Sequence, residues 1–232
     1  MNYATGREKF GAPAASSAAD LLWITYRWMT LGLALTGVVA LGVAHSPALI
    51  DALVQNRIVF YAILFGQLGL VFAMSSMALR VSSAAAAFMF FAYAALTGVT
   101  FSTLFVVYTA SSIASTFFVT AGAFGGLSVF GAATKRDLSG IGRFALFALI
   151  GLILASVVNI FVHSSGLEWV LSVVGVVLFA GLTAYDTQRL KALFESGETS
   201  ANLPLVGALT LYLDFINMFL FLLRFMGDRR RN

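Results

Sequence analysis

Two aspartates lie inside long apolar runs: Asp186 in GLTAYDTQRLKALF (181–194) and Asp214 in LPLVGALTLYLDFINMFLFLLRF (203–225). A charged side chain on a helix at the bilayer centre costs about 2.5–3.5 kcal/mol on insertion scales. Two carboxylates on consecutive helices therefore demand a compensating arrangement. In a low-dielectric site they cannot both ionise freely, so they are expected to titrate as one unit. They can share a proton, hold a hard cation such as calcium through oxygen ligands, or pair with a basic group. Thr210, Asp214 and Asn217 share one helical face, and Thr183 shares the face of Asp186, which supplies a supporting polar surface. The available counter-charge is Arg80, at the end of the second apolar segment and on the same side of the membrane as Asp186. An Arg80–Asp186 contact would act as a latch, weakened when the aspartate is protonated or when a divalent cation competes for it.

The elements that must position these residues are membrane helices. The 232 residues are 60% hydrophobic and 10% charged, against about 25% charged in soluble domains; the mean hydropathy is +0.93. This composition predicts an all-α, polytopic membrane protein with a single bundle. Seven segments are long enough to span: 23–44, 58–79, 84–107, 113–133, 141–162, 167–190 and 203–225. They form one transmembrane domain over 21–228, between a mobile polar tail (1–20) and a basic C-terminal tail (229–232). Gly42 and Ala44 before His45 resemble a signal-peptide cleavage site, but the apolar run is long and more membrane segments follow, so it is read as an uncleaved span.

Without cysteine there is no disulfide framework, thiol nucleophile or thiolate metal site. His45 and His163 fall in expected loops, so no zinc cluster is expected. The net charge of +4 gathers near helix ends, as a topology signal rather than an affinity for nucleic acid. With the N-terminus inside, the inner face holds Arg7, Lys9, Arg80, Lys135, Arg136, Arg189 and Lys191. Arg229, Arg230 and Arg231 conflict with that orientation, because seven spans put them outside; six full spans, or an incomplete last one, would reverse their side. Arg27, Arg143 and Arg224 are expected to snorkel, Gln67 and Asn159 to bond between helices, and Gly122, Gly125, Gly126 and Gly131 to permit close packing.

Several stretches in order resemble the Bax inhibitor-1 (transmembrane Bax-inhibitor-motif) family, specifically its bacterial YccA-type branch. They are Arg80 with TGVTFS (97–102), KRDLS (135–139), AYDTQ (184–188) and LYLDFINMFLFLLRF (211–225). The resemblance implies a seven-helix bundle with the last helix central and six around it. It implies a pH-sensitive calcium leak at a di-aspartyl site, Asp186 and Asp214, latched by Arg80, in the bacterial inner membrane with the N-terminus cytoplasmic. It further implies a role in stress survival and an association with the membrane protease FtsH. On this reading the chain is not an enzyme and needs no cofactor; calcium is the transported or bound ion, and its partners are lipid, calcium and protons. One alternative is a regulatory protein that engages a membrane protease without transport. The other is an intramembrane aspartyl protease. Against it, Leu211, Tyr212 and Leu213 precede Asp214 where such enzymes carry Gly-x-Gly.

Overall fold

A computed structural model describes residues 17–197 and 200–230. The expected mobile tail lies, for residues 1–16, outside the described residues. The helices are α1 (Ala18–Ala44), α2 (Pro47–Gln55), α3 (Arg57–Met77), α4 (Ser83–Phe101), α5 (Leu104–Val107), α6 (Ala110–Ala133), α7 (Ser139–Val162), α8 (Ser165–Glu195) and α9 (Leu203–Met226). Seven spans result, with α4 and α5 sharing one.

Helix ends follow local chemistry. α1 starts five residues before the expected span because Ser17 and Asp20 form a capping box, each side chain bonding the other's backbone N–H. The expected loop over 45–57 contains α2, which opens on Pro47 at a position where no N–H is needed. The third span breaks at Ser102 and Thr103. Their hydroxyls donate to the Val99 and Thr100 carbonyls at 2.6 and 2.7 Å, and i→i−3 backbone bonds tighten the turn. α8 runs on past its expected end at 190 to Glu195 and stops at Gly197, whose φ of +79° suits glycine.

α9 is the most buried span, packed against α8, α1, α6 and α4. The expected ring of six neighbours is only partly formed: α3 packs chiefly on α4, and α7 on α8. α3 accordingly has a single buried residue, Met74. Tyr212 fastens α9 to its neighbours. Its hydroxyl lies 2.7 Å from Thr36 Oγ1, which also reaches the Ala94 carbonyl, and its ring meets Phe90 and Tyr93 edge-on. Gln67 bonds α3 to α4 as expected, through Thr100 Oγ1 at 2.6 Å. Asn159 instead accepts from the Ser164 N–H across the α7–α8 turn, so it caps rather than bridges spans.

Of the four α6 glycines only Gly131 serves close packing, since a Cβ there would strike the Ala184 backbone. Cβ atoms at Gly122, Gly125 and Gly126 would meet nothing within 4 Å.

Seven full spans place the two termini of the bundle on opposite sides. The chain after α9 docks on the connection between α5 and α6: Thr109 N–H donates to Asp228 O at 3.1 Å, Arg230 N–H to Val107 O at 2.9 Å, and Asp228 N–H to Ser112 Oγ at 2.8 Å. Arg229 pairs with Glu168 at the start of α8 at 2.9 Å. The C-terminal tail is thus tied down through Arg230, and the six-span alternative falls.

Candidate functional site

The packing of α8 on α9 holds the aspartates at a similar depth. Asp186 lies nine residues before Glu195 and Asp214 eleven after Leu203, about 14 and 17 Å from the same side at 1.5 Å per residue. The expected span end at 190 puts Asp186 about one turn from its helix end, whereas α8 runs on to Glu195. Lys191 reaches the last turn of α6 by donating to Ala132 O at 2.8 Å.

The two carboxyls are close neighbours, with Asp186 8% and Asp214 4% exposed. An ionised carboxylate only accepts, so a hydrogen bond between them would need a proton on one partner, and a cation between the oxygens would serve in its place. Asp214 Oδ2 is buried with no hydrogen-bond partner among the described residues.

Each residue of the YDTQ run has a separate task. The Tyr185 ring fills the space left by Gly142 on α7. Asp186 faces Asp214. Thr187 Oγ1 lies 3.2 Å from the Tyr26 hydroxyl on α1. Gln188 accepts from the Leu138 N–H at 2.9 Å and donates to the Arg136 carbonyl at 2.8 Å, clasping the KRDLS loop. TGVTFS is equally structural: a Cβ at Gly98 would strike the α1 backbone at Thr36, Thr100 receives Gln67, and Ser102 starts the break.

The supporting threonines and asparagine line the site without bonding the carboxyls. Thr183 donates to Phe179 O, Thr210 to Val206 O and Asn217 to Leu213 O, each within its own helix. Arg80 lies in the exposed turn after α3, and no ion pair joins it to Asp186 among the described residues. That turn is held at the start of α9 by Asn202, which donates to Ala78 O and Val81 O at 2.7 and 2.8 Å. The basic group whose charge acts on Asp186 is Arg189, one turn further along α8. Its i,i+3 spacing from Asp186 was the available sequence signal. α4 and α6 carry no charged residue at all. Among the described residues no group of three or more His, Cys, Asp or Glu side chains could hold a metal.

The chain matches the family described as "Inhibitor of apoptosis-promoting Bax1" over residues 19–231. It belongs to the Bax inhibitor-1 family. Among its relatives, inner membrane protein YbhL of Escherichia coli strain K12 is 50% identical over 210 residues, covering 88% of this chain and 90% of the relative. A protein of Deinococcus radiodurans is 49% identical over 208 residues, covering 88% and 89%. One of Borreliella burgdorferi is 43% identical over 208 residues, covering 88% and 90%. The family match takes in every stretch that carried the resemblance and the first span as well.

Proposed function

We propose that this Bax inhibitor-1 family protein is a pH-sensitive calcium leak gated by the Asp186–Asp214 pair. The observation that carries this reading is the contact between two buried carboxyls at one depth, one of them on the central helix. Protonation changes the charge of such a pair directly, and a cation that passes must compete with the shared proton. Calcium binds six to eight oxygens, and two carboxylates fall well short of that. A pair of this kind suits brief occupancy by a passing ion rather than storage. Arg80 would latch the closed form by approaching Asp186, which requires its turn to move inward; Arg189 already supplies a positive charge to the pair.

The N-terminus is assigned to the cytoplasm. Arg80, Lys135, Arg136, Arg189 and Lys191 lie on its side; opposite lie Arg57, Arg230 and Arg229, the last paired with Glu168. The E. coli relative is named an inner membrane protein, and the same location is proposed for this chain. The protein is proposed to be a non-enzyme. The protease-partner reading rests on the polar N-terminal tail (1–20), whose residues 1–16 lie outside the described residues, and no described feature favours it.

The test is calcium flux into dye-loaded proteoliposomes between mildly acidic and mildly alkaline pH. Asp186→Asn and Asp214→Asn should each abolish the pH dependence, and Arg80→Ala should raise the basal flux. Wild-type, pH-dependent flux in the double Asn variant would show that the pair is not the gate.

A further inference from the structure

Asp214 has a second neighbour besides Asp186. It lines a cavity of about 540 Å³ between α7 and α9, together with Leu152, Ser156 and Val157 of α7, Phe179 of α8, and Phe221 of α9. α7 and α9 each pack chiefly against α8, so the space between them opens sideways. Its α7 rim carries Ile153, Val157 and Ile160, which are 54%, 47% and 66% exposed at membrane depth. Lipid is the solvent at such a rim. From Asp214 the cavity runs towards Ile160 and Phe221, away from the side of Arg80.

The polar groups of this cavity offer acceptors more than donors. The Ser156 hydroxyl hydrogen is spent on Leu152 O and that of Thr210 on Val206 O, while the Asn217 amide donates to Leu213 O. Asp214 lines the cavity with 4% of its surface exposed; its Oδ2 is sealed and has no donor among the described residues, so a ligand in the cavity would reach the carboxyl through its other oxygen. A phosphate or ester headgroup would find few donors here. A hydrocarbon chain ending in a donor, above all a cationic one, would satisfy the carboxyl and bury its chain against apolar walls.

We propose that the α7–α9 cavity binds a lipophilic primary amine that enters from the bilayer, its ammonium donating to Asp214 and its alkyl chain lying between the two helices. The amine would also compete with the shared proton and with a passing cation. The binding itself draws on the geometry of the aspartate pair and not on any ion flux.

Dicyclohexylcarbodiimide tests this in the full-length protein in liposomes. It is lipid-soluble and adds across a carboxylic acid, without loss of atoms, to leave an N-acylurea that peptide mass spectrometry locates. Labelling is expected at Asp214. Dodecylamine should slow it about tenfold more than dodecanol at equal membrane content, the order of advantage of a charge-assisted hydrogen bond over a neutral one. Equal protection by amine and alcohol, or labelling only by a water-soluble carbodiimide, would overturn the proposal. Ser156→Leu narrows the cavity without touching the pair and should suppress labelling, whereas Ser156→Ala should label as wild type; undiminished labelling in Ser156→Leu would also overturn it. No ion gradient is used, so failure of the leak reading and failure of this one are separately visible.

Discussion

Asp137, in the turn between α6 and α7, accepts from both the Ser139 N–H, at 2.8 Å, and the Ser139 hydroxyl, at 2.9 Å. These bonds favour the ionised form, and Arg143 adds a smaller attraction, so the carboxyl is held below its usual range. The stabilisation is present above the unfolded carboxylate value and is lost as pH falls through the lower folded value. Asp137→Ala should therefore lower the unfolding temperature at neutral pH and leave it unchanged in strong acid. Thermal unfolding of both proteins across the acid range reads this directly; a constant difference at every pH would assign the effect to packing instead. The contrast with Asp186 and Asp214 is one of environment. An exposed aspartate beside local donors stays ionised, whereas two buried carboxyls facing each other need a proton, a cation or a basic group to offset their charge.

At the scale of helices, glycine acts through what lies opposite it. Gly131 lets α6 approach the Ala184 backbone of α8, while Gly122 faces open space. Gly131→Ala should destabilise the bundle by about 1–3 kcal/mol, as overpacking does. Gly122→Ala should be neutral or stabilise by up to about 1 kcal/mol through helix propensity. Unfolding of the two variants in detergent checks the pair, and equal effects would show that α6 and α8 do not close on Gly131. The same contact matters for the site. Ala184 is two residues from Asp186, so the α6–α8 spacing sets where the α8 carboxyl sits. The packing of α8 against α9 acts likewise, setting Asp186 against Asp214.

For the molecule as a whole, seven crossings put the KRDLS loop and the C-terminal segment on opposite sides. The chain has no native cysteine, so a single introduced one reports sidedness cleanly. Lys135→Cys and Arg230→Cys should be labelled by an impermeant thiol reagent from opposite faces of oriented membrane vesicles. Labelling of both from one face would mean an even number of spans between them. The docking of Asp228, Arg229 and Arg230 on Val107, Thr109, Ser112 and Glu168 fastens the far end of the central helix, and Asn202 fastens its near end to the turn bearing Arg80. Between these two anchors α9 holds Tyr212 and Asp214 at fixed depth.

What the sequence determined by itself was everything that depends on composition and on spacing along one helix. Seven apolar runs had to become spans, because only helices satisfy their own backbone in lipid. Asp186 and Asp214 stood out because carboxylates are costly there. The family was legible because YDTQ and LYLDFIN are densely engaged stretches, in which Tyr185 meets α7, Thr187 meets α1, Gln188 holds the KRDLS loop and Tyr212 meets α1 and α4. Tertiary structure alone decided which residues meet across helices. It set the two carboxyls against each other through the packing of α8 on α9, left Arg80 in an exposed turn and brought Arg189 to bear on the pair. It made Gly131 a contact and Gly122 a bystander, and it opened a lipid-facing cavity onto Asp214. Those outcomes depend on where helices end and how far apart they stand. End caps, backbone approach and neighbouring side chains set both, and a pattern of apolar residues read along one chain contains neither distance.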